Sequence, residues 1–350
     1  MRSFDTRINQ LPQNILVLVT QIDELKGRWI GGAQLNPQLL GRLKRSTLVT
    51  STGASTRIEG AKLSDEDVER LMGGLSLQRF ADRDKQEVQG YFELLENVFS
   101  AWQTIPFTEN TTKHLHNELL KYVEKDKLHR GEYKKVENRV EMVNEVGESV
   151  GVLFDTTAAF LTPKEMQEAI EWAQEALQSN RYHPLLVIGA FIVEFLNIHP
   201  FQDGNGRLSR VLTNLLMLNV GYSYVPYVSH EKLIEDNKAE YYLALRQSQK
   251  TFKTDGENIT PWMEFFLRIL LSQALEANKL MSSESIDRML SPKQLAVWQY
   301  LETVSEAAPK EISEATGVSR PTVSQALTVL LRLKKVERVG QGRTTRYRKV

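Results

Sequence analysis

The largely apolar run at residues 185–198, LLVIGAFIVEFLNI, is followed directly by HPFQDGNGRLSR at residues 199–210. The run has the length and composition of a buried helix, so the polar residues after it lie just beyond the end of a rigid element. They include one histidine, one carboxylate, two glycines around an asparagine, and two arginines. This combination suits the binding of a nucleotide polyphosphate better than it suits an ordinary loop.

Two side chains of this segment have the chemistry of a reaction centre. The imidazole of His199 titrates near neutral pH and can accept a proton from a hydroxyl. Asp203, four residues later, is an oxygen ligand of the kind that Mg²⁺ takes together with substrate phosphates. The pair predicts a general base and a magnesium ligand.

The rest of the segment predicts an anion site. A tight backbone through Gly204, Asn205 and Gly206 would let successive amides point at one anion, at the start of a helix. Arg207 and Arg210, one turn apart, can fork onto phosphate oxygens. Taken singly, each residue has an ordinary explanation, such as a helix-end histidine, a surface turn or a solvated arginine. Taken together, those explanations require several fixed spacings to coincide.

The composition excludes several classes of site. The 350-residue chain contains no cysteine, so disulfides, thiolate metal sites and cysteine nucleophiles are excluded. The length favours two or three domains. No apolar run reaches the roughly 20 residues that a membrane helix needs, and the N-terminal segment lacks the layout of a signal peptide. We therefore expect a cytoplasmic protein without membrane contact.

Apolar residues at three- and four-residue spacing predict a helix-rich chain. The N-terminal segment is predicted to be helical, with polar joints at Gly53 and Gly60. Partial alternation over residues 139–155, around a turn at 147–148, predicts a single β-hairpin. Further helices are predicted at residues 86–107, 163–177, 185–198, 207–220, 231–250 and 260–281.

Residues 199–210 match every specified position of HxFx(D/E)GNGRxxR, the signature of Fic-domain proteins, which this chain resembles. The resemblance covers roughly residues 85–250. It implies a mainly α fold, in which a helical N-terminal extension (1–84) precedes a Fic helical core (85–281) with a β-hairpin flap. It also implies that AMP moves from ATP to a Ser, Thr or Tyr hydroxyl of a target protein or of the chain itself, releasing pyrophosphate.

The resemblance assigns a role to each residue of the segment. It implies that His199 deprotonates the hydroxyl, that Asp203 holds Mg²⁺, and that Arg207 grips the β- and γ-phosphates. The amides of residues 204–206 would stabilise phosphate charge, and Asn205 would assist at the α-phosphate. Glycine at both positions 204 and 206 favours AMP transfer over a related phosphotransferase reaction.

Two further features fit the resemblance less specifically. A residue near Tyr241 and Tyr242 would help to hold the adenosine, although two tyrosines on a helix are also ordinary core residues. The hairpin would pair with an extended target segment by strand addition, although a purely structural hairpin explains it nearly as well.

The string STRIEG, which ends at Gly60, has two interpretations. Thr56 and Glu59 have the spacing of a capping box, and Gly60 would end a short helix. The string also matches the inhibitory motif (S/T)xxxE(G/N) of the resembled family, with Ser55, Glu59 and Gly60 in register. On that interpretation Glu59 pairs with Arg210 and occupies the space of the γ-phosphate. Whether Glu59 also helps to remove AMP stays open.

The C-terminal segment is the basic part of a chain whose net charge is zero. From residue 291 onward it has 11 basic and 5 acidic residues, an asymmetry that hints at a polyanionic partner. A polar patch at 282–291 is the best domain boundary. Helical patterns at 310–316 and 320–333, followed by two strand-like segments, resemble a winged helix-turn-helix within residues 282–350. The core between these helices is expected to be closed by Ile312, Val318, Val323 and Leu327.

The candidate DNA contacts are polar residues of the second helix and arginines of the wing. They are Arg320, Thr322, Ser324, Gln325, Arg343, Arg346 and Arg348. The alternative is a module that contacts protein or forms a homodimer.

Two functions therefore stay open for the whole chain: an enzyme that transfers AMP, and a DNA-binding regulator that senses nucleotide and transfers little. A complete motif that includes His199 favours the enzyme.

Overall fold

The computed structural model describes residues 4–32, 37–74, 82–143, 149–333, 335–340 and 345–350. They form two compact units, Met1–Asn278 and Lys279–Val350. Residues 199–210 belong to the first unit. Among the described residues, no helix combines the length and the apolar character that crossing a bilayer requires.

The first unit is built almost entirely from helices. The N-terminal helices are α1 (Phe4–Asn9), α2 (Asn14–Gly32), α3 (Pro37–Ile58) and α4 (Asp65–Met72). The helices α5 (Asp82–Ala101), α6 (Glu109–Leu119), α7 (Thr162–Ser179), α8 (Pro184–Ile198) and α9 (Asn205–Asn219) follow. The last are α10 (His230–Asp236), α11 (Lys238–Gln249) and α12 (Thr260–Met289). One antiparallel hairpin, β1 (Arg139–Val143) and β2 (Ser149–Asp155), lies between α6 and α7 in the sequence; its turn lies outside the described residues.

Helix α8 lies at the centre of this unit. Every residue of 185–198 is buried, as the apolar run predicts, because a helix that is apolar on all sides must be covered on all sides. Pro184 occupies the first turn, where a missing N–H costs nothing. The charged Glu194 is compensated by Arg7, whose Nη1 lies 2.6 Å from Glu194 Oε2. Helix α9 packs against α8, so the loop between them is held at both ends.

Helix α3 corrects two expectations for the N-terminal segment. The helix runs through Gly53 without interruption, so Gly53 is not a joint. Thr56 is not an N-cap, since it lies within the last turns of the helix and its Oγ1 donates to the carbonyl of Thr52 at 2.8 Å. The capping-box interpretation of STRIEG is therefore wrong. Gly60, with φ of +104°, does lie just beyond the end of the helix.

Two other helix boundaries differ from the sequence pattern. The predicted helix at 231–250 is divided into α10 and α11 at Asn237, whose side chain caps α10 by donating to Leu233 O at 2.8 Å. Helix α6 was not predicted, because its short amphipathic pattern carries few apolar residues. Helix α12 continues to Met289, so most of the polar patch at 282–291 is helical rather than a loop.

The second unit contains three helices and a two-stranded antiparallel sheet within its described residues. They are α13 (Pro292–Thr303), α14 (Pro309–Thr316), α15 (Arg320–Arg332), β3 (Val336–Val339) and β4 (Arg346–Lys349). Gly317, with φ of +69°, makes the turn between α14 and α15. All four predicted core residues, Ile312, Val318, Val323 and Leu327, are buried together.

Candidate active site

His199 lies at the point where α8 ends. Its backbone adopts the left-handed conformation (φ 52°, ψ 61°), and its N–H caps the helix by donating to Phe195 O at 2.9 Å. Its Nδ1 lies 3.4 Å from Leu196 O. Because a carbonyl can only accept, Nδ1 carries the proton in this contact, and Nε2 has the free lone pair. Burial and the charge of Lys134 lower the pKa of His199 to about 4, against Leu196 O, Glu59 and Asp203, which raise it. At neutral pH the imidazole is an unprotonated base.

The loop after His199 is braced by side chains that face inward. Phe201 is fully buried, and its ring stacks on His116 with ring centroids 3.8 Å apart. The Asn205 side chain accepts from Phe201 N at 2.9 Å and donates to Phe201 O at 2.7 Å. Both ends of the amide are therefore used within the loop. Asn205 therefore fixes the shape of the turn, and its assistance at the α-phosphate stays a prediction.

Helix α9 begins with a backbone cradle suited to an anion. Gly204 is its N-cap in the left-handed conformation, with φ of +79°, which glycine adopts without strain. The first amides of α9 have no intrahelical acceptor, and the positive end of the helix dipole lies at the same place. A Cβ added at Gly206 would clash with the carboxylate of Glu59. The backbone here is thus open enough to admit an oxyanion, and a carboxylate lies against it.

Glu59 reaches this cradle from the end of α3 and pairs with Arg210. Arg210 Nη2 lies 2.8 Å from Glu59 Oε1. Ser55 contributes two more contacts to the same guanidinium, at 2.7 Å from Ser55 Oγ to Nε and at 2.9 Å from Ser55 O to Nη2. Arg210 is fully buried; burial alone would lower its pKa, but Glu59, Tyr241 and Tyr91 hold the pKa above its usual value. Glu59 and Ser55 thus contact the same buried guanidinium, that of Arg210.

Helix α3 is tied to α10 by polar contacts away from the cradle. Arg57 Nε lies 2.6 Å from Glu235 Oε1, and Ser51 Oγ lies 2.8 Å from Ser229 Oγ in a fully buried contact. These contacts hold α3 in the position that brings Glu59 to Arg210.

Asp203 and Arg207 form a second charged cluster beside the cradle. Arg207 is buried and pairs with Asp203 Oδ1 at 3.1 Å and with Glu87 Oε2 at 2.8 Å. Asp203 Oδ2 also pairs with Arg83 at 2.6 Å, and Gly204 N donates to Asp203 Oδ1 at 2.6 Å. Burial alone would raise the pKa of Asp203, but Arg207, the Gly204 amide and Arg83 together lower it. Asp203 is therefore ionised at neutral pH.

The donor set around Asp203 fits one mode of magnesium binding. Within the described part of the chain, no three or more His, Cys, Asp or Glu side chains are grouped as a metal site. A site made only of protein ligands is therefore not available there. Mg²⁺ commonly takes one or two carboxylates and completes its coordination with water and substrate phosphates. An ionised carboxylate with one-third of its side chain exposed, next to an anion cradle, fits that mode.

The two candidate tyrosines have different surroundings. Tyr241 is buried and packs against Trp262 and Phe265, with ring centroids 6.0 Å and 5.8 Å apart. Tyr242 is 39% exposed, and its hydroxyl lies 3.3 Å from Ile58 O at the end of α3. Tyr241 thus belongs to the core, whereas Tyr242 faces the same region as Glu59.

Three residues of this site were not found from the sequence. His116 on α6 donates from Nε2 to Asp203 O at 2.9 Å, since its Nδ1 accepts from Gly131 N at 2.8 Å. Burial lowers the pKa of His116 to about 4, against the Asp203 carbonyl, so the ring stays neutral in this role. Glu87 and Arg83, on α5, complete the ion pairs of Asp203 and Arg207. Recognising α6 as an amphipathic helix would have pointed to His116, since its inward face carries that residue.

The candidate DNA contacts of the second unit divide into two groups. Arg320, Ser324 and Gln325 are exposed on α15, and Thr322 is half-buried beside Ser319. The wing arginines are ion-paired, since Arg346 contacts Glu306 at 3.0 Å and Arg348 contacts Glu337. Arg343 lies outside the described residues. The helix therefore offers free polar groups, whereas the wing charges are partly compensated.

Comparison with known proteins identifies the central segment. Residues 106–217 match the profile of the Fic/DOC family. This segment is therefore similar to a Fic domain. The solved structure of a Fic family protein from Desulfovibrio desulfuricans is 25% identical and superposes with a TM-score of 0.64, covering 97% of each chain. The mainly α fold predicted from the sequence, with a Fic core and a hairpin, is confirmed.

Curated relatives match the Fic domain over shorter stretches. The protein adenylyltransferase Fic of Drosophila mojavensis is 42% identical over 57 residues, or 16% of this chain and 11% of the relative. The protein of the same name in Drosophila yakuba is 31% identical over 143 residues, or 41% of this chain and 25% of the relative. The chain thus spans a quarter or less of the length of these relatives.

Proposed function

We propose that the chain is a protein adenylyltransferase, which transfers AMP from ATP to a Ser, Thr or Tyr hydroxyl of a target protein or of itself. The observation that carries the proposal is that an unprotonated His199 and an amide cradle lie at the two ends of the short loop between α8 and α9. The names of the relatives that match the Fic domain support this reaction class.

The reaction is a displacement at the α-phosphorus. The hydroxyl oxygen attacks that phosphorus while its proton passes to His199 Nε2, a form of help worth roughly 10²–10⁴ in rate. A new oxygen–phosphorus bond forms, the bond to the bridging oxygen breaks, and pyrophosphate leaves. The α9 amides stabilise the phosphate charge, as donors fixed in place do in an oxyanion hole.

The charged residues around the cradle hold the polyphosphate. Arg207 and Arg210 neutralise the β- and γ-phosphates, and Asp203 is the residue that would hold Mg²⁺. When bound, Mg²⁺ supplies neutralisation of charge on the phosphate oxygens. Arg210 Nη1 is buried without a hydrogen bond among the described residues, which supports its readiness for a further acceptor. Tyr242, half-exposed near Glu59, is the better of the two tyrosines to contact the adenosine.

Glu59 keeps the resting enzyme inactive. Its carboxylate neutralises Arg210 and lies against Gly206, in the space of a phosphate. A carboxylate about 4 Å from a phosphate oxygen is repelled by about 4 kcal/mol at an effective dielectric of about 20. ATP therefore binds poorly in the productive position while α3 is in place.

The hairpin is proposed to receive the target. Its two strands have outer edges with backbone groups that can pair with an extended segment. Such pairing would bring a hydroxyl of the target to His199 without requiring a specific side chain on the hairpin.

The reaction class is tested by labelling the Glu59→Gly variant with ATP and Mg²⁺. We expect radioactivity from α-labelled ATP to remain on protein, and an intact-mass increase of one AMP group, because pyrophosphate carries the other two phosphates away. Label from γ-labelled ATP should leave with pyrophosphate. Retention of the γ-label alone would instead identify a phosphotransferase and overturn the proposal.

We also propose that the second unit is a winged helix-turn-helix that binds DNA, which would make the chain a nucleotide-sensing regulator as well. The exposed polar face of α15, with Arg320, Ser324 and Gln325, favours this second function. The ion pairs of the wing arginines argue against DNA binding. An arginine that must give up a glutamate partner to contact a phosphate contributes less binding free energy.

Binding of the full chain to duplex DNA should weaken steeply between 50 and 200 mM salt, since phosphate contacts release counterions. Arg320→Ala should reduce the slope of log affinity against log salt by about 1, measured by fluorescence anisotropy. Arg332→Ala, at the other end of α15, is the matched control and should leave the slope unchanged. A salt-independent affinity would favour a protein-binding module.

A further inference from the structure

Lys134 is a buried cation directly behind His199. Only 4% of the residue is exposed, yet its ammonium group is fully hydrogen-bonded. Its Nζ donates to Asn138 Oδ1 at 2.8 Å, to Thr156 Oγ1 at 2.8 Å and to Ile198 O at 2.9 Å. The three bonds use all three donors of the ammonium group. Such a complete set indicates a defined position rather than a trapped surface charge.

Lys134, Asn138 and Thr156 form a hydrogen-bonded cluster that fixes the backbone on both sides of His199. Lys134 N donates to Pro200 O at 2.8 Å. The Asn138 side-chain amide lies 3.3 Å from His199 O and donates to Phe201 O at 2.8 Å. Four consecutive carbonyls, those of residues 198–201, are therefore held by two side chains and one amide. This matters because His199 has a left-handed backbone, which must be held in place by its surroundings.

The cluster also joins the hairpin to the loop. Asn138 directly precedes β1, and Thr156 directly follows β2. Lys134 binds both residues as well as the end of α8. The base of the hairpin and the catalytic loop thus share one hydrogen-bonded junction.

The charge of Lys134 is not cancelled locally. Within the described residues, no carboxylate forms an ion pair with it; Glu137 and Glu165 act on it only through their charge, and Glu165 pairs with Lys253 at 2.6 Å. Burial lowers the pKa of Lys134 to about 8, with Lys253 acting in the same direction and Glu137 and Glu165 opposing. The group is therefore charged at neutral pH.

We propose that Lys134 is a positioning residue, which fixes the His199 loop and keeps the His199 imidazole unprotonated when an anionic nucleotide binds. The inference rests on the proposed function, because a bound polyphosphate is what would otherwise favour a protonated imidazole. The described groups whose charges act on His199 are Lys134, Glu59 and Asp203. The two carboxylates and the nucleotide favour protonation, and Lys134 is the cation that opposes them.

The test is the titration of His199 in the full chain, followed by NMR of ¹³C-labelled histidine. The chain has six histidines, and the His199→Ala spectrum assigns the resonance. In Lys134→Met the pKa of His199 should rise above about 4 because the opposing charge is removed, while burial continues to hold it below the ordinary value. In Lys134→Arg, which keeps the charge, it should stay near the parent value. Thr156→Val, which removes one acceptor but no charge, should also leave the titration unchanged.

Activity gives a second readout in the Glu59→Gly background. The acidic limb of the pH–rate profile should move to higher pH in Lys134→Met and should stay in place in Lys134→Arg. Circular dichroism melting establishes that each variant is folded, and Lys134→Gln replaces Lys134→Met if that variant does not fold. An unchanged His199 titration in a folded, neutral variant would overturn the proposal. If no variant transfers AMP, the proposed function fails, while the titration still decides the role of Lys134.

Discussion

Replacing Glu59 with glycine is expected to raise AMP transfer by roughly a hundredfold or more. The change removes the carboxylate that lies 2.8 Å from Arg210 and against Gly206. A charge-assisted hydrogen bond is worth about 1.5–3 kcal/mol, and removing the repulsion of a phosphate adds to that. Since about 1.4 kcal/mol corresponds to a factor of ten, the sum supports the expected increase. Initial rates of α-label incorporation at equal ATP concentration measure it.

Two further variants separate charge from space. Glu59→Gln keeps the size of the side chain but loses its charge, so its rate should lie between those of the parent and Glu59→Gly. Ser55→Ala removes one of the two Ser55 contacts to Arg210 and should activate only slightly. Equal rates for the parent and Glu59→Gly would contradict an inhibitory role for α3.

Replacing His199 with alanine in the activated background should lower AMP transfer by roughly 10²–10⁴, the usual contribution of a general base. ATP binding should be retained, because the cradle consists of α9 amides and arginines rather than of the imidazole. Rates of labelling and calorimetric titration with ATP measure the two properties separately. Loss of both ATP binding and AMP labelling would instead indicate that the substitution had changed the shape of the loop.

The left-handed backbone of His199 calls for a second substitution. Alanine adopts this conformation less readily than asparagine does, so His199→Asn should disturb the loop less while removing the base. His114, exposed on α6, provides a matched control, and His114→Ala should transfer AMP at the parent rate. If the folded His199→Asn variant transferred AMP at an undiminished rate, His199 could not be the general base.

The sequence was most informative where the residues of the site lie close together along the chain. His199, Asp203, Gly206 and Arg207 lie within nine residues, so the chain itself brings them together once α8 ends and α9 begins. The contact of Glu59 with Arg210 joins residues far apart in the sequence, and only the resemblance to a family motif pointed to it. Spacing alone favoured a capping box at Thr56, which is wrong because α3 begins at Pro37 and continues past that residue.

The residues that the sequence did not reveal act through tertiary contacts. His116 supports the loop from α6, and Lys134 supports it from the segment before the hairpin. The amphipathic pattern of α6 could have placed His116 on a buried face, but no local pattern distinguishes Lys134 from a surface residue, and the partners of both residues lie on other segments. The bonds of Asn205 to Phe201 likewise become visible only when the turn is folded.

If Glu59 inhibits AMP transfer as proposed, the attachment of α3 to the same compact unit as α9 has a consequence for control of that reaction. A blocking group on the same chain is present at a fixed local concentration, whatever the amount of protein. Dilution therefore cannot release it, and neither can loss of a separate inhibitor chain. Under the proposed inhibition, activation would require an event that loosens α3 itself, and the buried Ser51–Ser229 contact and the Arg57–Glu235 pair are two of the bonds that such an event would break.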